Sequence, residues 1–433
     1  MKFKSIGYFL TGIVVASIMS SCSADEPSDT NIGKVKPTEI VLSPSTRSIV
    51  KTLDSSYLKY TTDLIKFMTD TDPEISSLAT SPLSTTMLMS MIANGVNEES
   101  RKEITDYLGT DDIVSLNDYC KTILAELPGI HPHATANLAN AAWVNKHFNI
   151  SFNKDYLTIL NNCFNGKSFS YDFTEDQGKI RKEVNNWSAK NTGGLIPNLD
   201  MNMYLQDSQT MLVLLSSIYF KAPWEHFPKK NTKKSIFHGS HHDMSVEMMT
   251  SRPLTGYPYY KDDDFDIFAI DLADGAYWLH IILPAEGLTL RKAVEIITPE
   301  FMSKVNNEIV TSTLTVSMPK FTIKSCINLN NLLKTNGVAS FMYSDHLTMF
   351  ETILDQVAYM RLGQNTVFSI DESGADVASS SFGEMIIGSP AIDPSKNYQI
   401  TVDRPFIFYI TESSTKTWIT SGFFANPDLF YGI

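Results

Sequence analysis

Cysteine is scarce in this 433-residue chain, which has only Cys22, Cys120, Cys163 and Cys326. Setting aside Cys22 in the N-terminal segment, an odd number remains at wide spacing, which argues against a disulfide framework, and the three read as small buried hydrophobes. Positive charge is also short. Lys and Arg total 35 against 48 Asp and Glu, a formal net charge of −13, which argues against binding nucleic acid or an anionic membrane by bulk electrostatics. The one basic cluster, Lys229, Lys230, Lys233 and Lys234, has no interleaved aromatics and reads as a solvated turn rather than a phosphate-backbone site. From Leu362 through Ser395 there is no Lys or Arg at all. Catalytic signatures are missing too, with no G-x-S-x-G elbow, no phosphate-binding glycine loop and no H-E-x-x-H. His238, His241, His242 and Asp243 crowd a Gly/Ser turn that lacks the strand or helix frame of a metal site. Nothing near Cys163 in sequence would lower a thiol pKa. The chain therefore reads as a non-enzyme, with no metal and no cofactor.

A hydrophobic fraction of 43% supports a large core. Tyr57, Tyr60, Leu64, Phe67 and Met68 fall on one helical stripe, which predicts an amphipathic opening helix. Ser81 is placed to cap a second, short buried helix, with Pro82 in its first turn, Leu83, Met87 and Met91 on one face and Gly95 at its end. Met211 to Phe220 is a nearly unbroken apolar run, as in a strand covered on both faces. Leu279 to Leu283 and the alternating Thr313 to Ile323 each read as a further strand. Helices early and strands late predict an α+β domain with a large sheet.

Two segments fall outside this pattern. At the N-terminus, Lys2 and Lys4 precede an apolar stretch from Ile6 to Met19 and then Ser20-Ser21-Cys22, the layout of an export signal. Near the other end, Ser369 to Ser389 starts like a strand and then passes from Gly374 into small residues: Ala375, Ala378, Ser379, Ser380 and Ser381. Such side chains cannot anchor a loop by packing, but they can enter a sheet. One-residue alternation makes Ala375, Val377, Ser379 and Ser381 the inward set and points Asp376 outward. On its own the segment also reads as a plain flexible surface loop.

Together with V-D-R-P-F-I-F-Y-I at Val402 to Ile410 and G-F-F-A-N-P at Gly422 to Pro427, that segment resembles the C-terminal end of a serpin, a serine protease inhibitor. Further fragments resemble the family in the same order: S-P-L-S at Ser81, N-L-A-N-A-A-W-V at Asn137, V-N-N-W-S-A-K-N-T-G-G-L-I-P at Val184, L-V-L-L-S-S-I-Y-F-K-A-P-W at Leu212, V-E-M-M at Val246 and M-P-K-F at Met318. The resemblance implies a serpin-like α+β fold with a large central β-sheet, additional sheets, about eight or nine helices and an exposed reactive-centre loop. Small residues ahead of Cys22 resemble a bacterial lipoprotein cleavage site. The implied organisation is a signal peptide over 1–21, a lipidated Cys22, a flexible tether over 22–45 and a serpin domain over 46–433. An ordinary signal peptide with an incidental cysteine stays open.

The resemblance further implies a suicide substrate: a protease cuts the loop, and the cut loop inserts as a strand and traps it. Matching Glu372-Ser373-Gly374 to the family's E-x-G hinge extends the hinge through Ala375, Val377, Ala378, Ser379, Ser380 and Ser381. Loop length puts the reactive bond between Gly388 and Ser389, with Met385, Ile386 and Ile387 as alternatives because glycine offers a specificity pocket nothing. Without nearby Lys or Arg, the implied targets are elastase-like, subtilisin-like or thiol proteases. Trp224 is expected to cap the point where the loop enters the sheet, and Ser81, Ser84 and Asn186 to lie beneath the strands that part. Gln364 stands where the family has histidine and keeps hydrogen-bonding capacity without a titrating group. Ser216 stands where Asn is common, and Ala222 where Gly is. The protein is expected to be a monomer that meets a membrane only through its lipid, at a bacterial outer membrane or cell surface. A non-inhibitory, surface-anchored binding protein on the same fold is the alternative.

Overall fold

The computed structural model describes residues 34–71, 77–194, 196–199, 209–352, 359–374, 397–426 and 431–432. Cys22 and the proposed signal lie outside the described residues, as does everything expected from Ala375 through Ser389. Among the described residues there are nine α-helices and two sheets.

Helix α1 (Pro44–Thr71) buries Tyr57, Tyr60, Leu64 and Met68, while Phe67 is half-buried at the edge of the stripe. It packs on α4 (Ile113–Glu126), on α7 (Leu290–Ile296) and on strand β15 (Trp418–Phe424). Val35, Thr38 and Ile40, expected within the tether, are already docked. Their amides donate to Asp274 Oδ2 (3.1 Å), Ile130 O (2.9 Å) and Ser414 Oγ (3.0 Å), and Ile40 and Leu42 are buried. Residues 35–42 therefore pack with the domain, because apolar side chains alternating at 40 and 42 find cover against it.

The second helix, α2 (Pro82–Ala93), starts at Ser81, whose Oγ accepts from Ser84 N (3.1 Å), with Pro82 in the first turn. Every residue of it is buried. That follows from its position between the sheets, where it touches β2 (Thr135–Asn145), β4 (Thr210–Lys221), β12 (Tyr359–Ile370) and β15.

The six-stranded sheet runs β16 (Tyr431–Gly432), β11 (Phe321–Asn328), β12, β4, β2 and β3 (Lys167–Tyr171). β11–β12 and β4–β2 are antiparallel, whereas the central pair β12–β4 is parallel. The ten-stranded sheet begins with β1 (Ser77–Thr80), β15 and β14 (Phe406–Glu412), continues through β9 (Tyr277–Pro284), β8 (Phe265–Leu272), β7 (Leu254–Lys261) and β10 (Val310–Pro319), and ends at β6 (Asp243–Thr250) and β5 (Lys233–His238). β13 (Asn397–Thr401) pairs with β10. The run Thr313 to Ile323, expected as one strand, is two strands in different sheets. Pro319 closes β10 and Lys320 turns the chain into β11, so the alternation of the sequence spans a crossover.

Phenylalanines join the sheets: Phe368 of β12 stacks on Phe408 of β14 at 4.7 Å, and Phe321 on Phe424 at 4.6 Å. On the opposite face of the six-stranded sheet, α6 (Gln177–Asn191) lays Val184 and Trp187 over β2, where Trp143 meets Trp187 edge-on at 5.4 Å. Burial of this aromatic and aliphatic area supplies the main stabilisation.

Candidate functional site

The parallel seam between β12 and β4 is paired from Tyr359↔Thr210 to Thr366↔Ile218 and no further. Beyond it, Val367–Ile370 continues only with β11 and Tyr219–Lys221 only with β2. The centre of the sheet is therefore closed along most of its length and unladdered at one end.

A tight turn sits over that open end. Asp371 and Gly374 exchange backbone hydrogen bonds (3.0 and 3.1 Å), with Glu372 and Ser373 as the two-residue loop. Asp371 Oδ1 fixes it by accepting from Ser373 N (2.8 Å) and Ser373 Oγ (2.7 Å). The reversal points the chain back antiparallel to β12. Gly374 has φ +91°, and a Cβ there would lie 2.6 Å from both Ala222 O and Trp224 N. Glycine is required at this position by sterics as well as by conformation.

Trp224 closes the mouth. Its indole Nε1 donates to Asp371 O (2.9 Å), its backbone amide to Ser373 O (3.3 Å), and Pro223 bridges Gly374. Behind it, His226 Nε2 bonds Asp271 Oδ1 at 2.9 Å. Burial pushes the Asp271 carboxyl up, but His226 and the Tyr257 hydroxyl outweigh that and hold it below the ordinary value. Ala273 N donates to Pro223 O at 2.6 Å and ties this brace to the turn after β8.

Glu372 is anchored. Glu372 Oε1 accepts from Thr232 Oγ1 (2.7 Å) and lies 3.6 Å from Lys320 Nζ, which also pairs with Glu247 at 2.6 Å. Burial raises its pKa, and the Thr232 hydroxyl, a backbone amide and Lys320 together lower it further than burial raises it, so it stays charged. Neither Thr232 nor Lys320 was singled out from sequence. Thr232 hides in the lysine cluster, and Lys320 lies inside what reads as a continuous strand; a lysine directly after Pro319 was the available signal.

Gln364, third from the open end of the seam, is fully buried. Its Oε1 accepts from Thr80 Oγ1 and from Ser81 N (2.9 Å), and its Nε2 donates to Ser81 O (2.7 Å) and Thr85 Oγ1 (3.0 Å). The amide thus ties β12 to the start of α2, and Ser81 Oγ ties that start to Ile419 O (2.7 Å). Opposite Gln364 lies Ser216. The Ser84, Ser216, Ser217 and Thr366 hydroxyls and both amide atoms of Asn365 are buried without a hydrogen-bond partner among the described residues. The parallel seam is thus lined by buried polar groups rather than by an apolar core.

Ser81, Ser84 and Gln364 thus converge just below the open end of the seam, and Trp224, Glu372 and Gly374 at its mouth. Asn186 joins neither group. The helical period turns Val184, Trp187 and Ser188 to the sheet and leaves Asn186 exposed, while Asn185 accepts from Leu199 N at 2.9 Å. Of the thiols, Cys120 is buried and desolvation pushes its pKa to about 12; desolvation also raises that of the half-buried Cys163. Neither has thiolate character. His238 pairs with Asp243 across the β5–β6 turn at 2.8 Å.

The sequence model of the family described as Serpin (serine protease inhibitor) matches residues 55–427. The chain is 23% identical over 393 residues to the leukocyte elastase inhibitor of Equus caballus, covering 87% of this chain and 99% of that one. It is 25% identical over 350 residues to Iripin-3 of Ixodes ricinus, covering 79% and 87%. Among solved structures, the native stressed form of Arabidopsis AtSerpin1 superposes with a TM-score of 0.75 at 22% identity, covering 88% of this chain and 98% of that one. The thermophilic serpin tengpin in its native state superposes with a TM-score of 0.73, at 22% identity, covering 92% and 97%. The mixed α+β architecture is the serpin fold, and the chain belongs to the serpin family.

Proposed function

We propose that the protein inhibits proteases as a suicide substrate, with the segment after Gly374 as bait and the β12–β4 seam as the trap. The observation that carries this reading is the seam itself: one parallel pair between antiparallel neighbours, open at the end where the chain turns back. A strand entering there would run antiparallel to both β12 and β4 and replace one parallel ladder by two antiparallel ones. Parallel pairing is slightly the weaker per residue. For a strand of ~12 residues bonded on both sides, at about 0.5–1.5 kcal/mol per bond, the gain is on the order of ten kcal/mol. Cleavage would release that difference, as in other strained switches.

Insertion must outrun hydrolysis of the acyl-enzyme, which the small residues from Ala375 to Ser381 favour. The absence of Lys and Arg from 362 to 395 favours targets of small or apolar specificity, elastase-like, subtilisin-like or thiol proteases, with Gly388–Ser389 or a bond after Met385, Ile386 or Ile387 as the cut site. The N-terminal layout supports export and anchoring at a surface through lipidation at Cys22. Cell fractionation of wild type and Cys22→Ser tests the anchor: a variant that stays in the membrane fraction would refute it.

The inhibitory reading is tested with a panel of such proteases. An SDS-stable complex, with mass spectrometry locating the cut bond, is the expected result, and Ala375→Arg is expected to be cleaved without trapping. A nicked protein with an unchanged melting temperature would overturn the mechanism.

A further inference from the structure

Edge strand β5 starts and ends against the two segments that flank residues 375–396. Thr232, just before it, bonds Glu372 (2.7 Å) on the outgoing side, and His238 N, at its end, donates to Asp403 O (2.7 Å) on the returning side. Around Thr232 stand Lys229, Lys230, Lys233 and Lys234, all exposed, and none has an ion-pair partner among the described residues. The nearest acidic groups on β6 are engaged elsewhere, Glu247 with Lys320 and Asp243 with His238. With Lys320 they make five lysines against Glu247, which faces Lys234 across the strands, and Glu372, so the strip stays net positive on a chain of net charge −13, a local field opposite to that of the whole. Ile236, 48% exposed, lies beyond them on the same strand.

We infer that this strip is a docking surface for the protease that attacks the adjoining segment, and that it selects enzymes with an acidic face beside the active-site cleft. An apolar side chain next to the lysines, with no exposed aromatic among them, fits a protein surface bearing carboxylates and a small apolar spot better than a stacked polyanion. The inference rests on the inhibitory reading. Lysines on a sheet edge also guard against edge-to-edge pairing, and the test separates that role.

The experiment compares wild type with K229Q/K230Q/K233Q/K234Q against two elastase-like proteases, one of net negative and one of net positive charge. Rate constants for covalent complex formation are measured from low salt to about 0.5 M, where screening is nearly complete. The variant is expected to react about tenfold more slowly with the negative protease at low salt. The two rates should converge at high salt, the positive protease should show no loss, and stoichiometry and melting temperature should be unchanged. Equal slowing with both proteases, or with neither, overturns the docking role. So does a variant that oligomerises on size exclusion while its rate per monomer is unchanged, which assigns the lysines to edge protection. A wild type that forms no complex with any protease fails the inhibitory reading and this inference together; normal wild-type trapping with unaltered variant rates fails this inference alone.

Discussion

Replacing Gln364 with leucine tests the seam most directly. The side chain fills the same space, but all four of its hydrogen bonds go. Three of the four partners keep another: Ser81 O still accepts from Thr85 N (3.1 Å), Thr80 Oγ1 keeps the Tyr60 hydroxyl (2.7 Å), and Thr85 Oγ1 keeps Ser81 O (3.3 Å). Among the described residues Ser81 N has no second acceptor, and a buried amide left without a partner costs about 1–3 kcal/mol. Adding a fraction of the net worth of the three other bonds gives a loss of roughly 3 kcal/mol, partly offset by the apolar side chain. That corresponds to about a hundredfold greater population of the opened seam. Two measurements read it: the first transition in guanidinium unfolding, and hydrogen exchange of amides across Leu362 to Thr366. An unchanged midpoint with unchanged exchange would refute the latch. Gln364→His sharpens the test. The neutral ring supplies one acceptor and one donor, but the imidazolium has no acceptor for Ser81 N, so the folded-state pKa would be depressed. Stability of that variant would be lost as pH falls below about 6.5, the unfolded value, a dependence that Gln364 itself cannot produce.

Gly374→Ala is expected to destabilise the native form by about 2–4 kcal/mol, combining a positive-φ penalty with a Cβ that meets two backbone atoms; a melting temperature equal to wild type would refute the close approach at the mouth. A separate pH effect comes from His280, which is half-buried, stacks on Tyr409 at 4.3 Å and has its pKa driven down to about 3 by desolvation and then by Lys416. Above about pH 6.5 neither state binds the proton, whereas below it only the unfolded chain does. Stability should therefore fall by about 1.4 kcal/mol per pH unit towards pH 3. His280→Phe should remove one proton's worth of that slope in denaturation measured at several pH values, and an identical slope would contradict the assignment.

Much of this architecture is legible in residue order because local rules and tertiary demands agree. Ser81-Pro82 caps a helix wherever it stands, Tyr57, Tyr60, Leu64 and Met68 form a stripe before anything covers them, and an apolar run such as Met211 to Phe220 has to be a doubly covered strand. The misreadings occur where the local signal does not contain the partner. Thr313 to Ile323 alternates across a change of sheet, because period 2 does not record which neighbour each strand pairs with. Asn186 and Asn185 are equivalent in sequence, and only the buried face of α6 decides which amide turns inward. Residues 35–42 pack with the domain rather than apart from it because the amides of Val35, Thr38 and Ile40 find acceptors more than 90 residues away, which no local pattern records.

Composition and motif order alone determined the class of molecule: a sheet-rich α+β domain with serpin motifs in family order and a small-residue segment behind Glu372-Ser373-Gly374. Tertiary structure decided what those residues press against. It made the centre of the sheet a parallel seam, stopped its ladder at Thr366 and Ile218, placed Trp224 over the gap, and joined Glu372 to Thr232 and Lys320. The physical reason is range. Capping, periodicity and turn formation act within a few residues, whereas the energy of the seam depends on which distant strands share hydrogen bonds, and that is fixed only when the whole chain has packed.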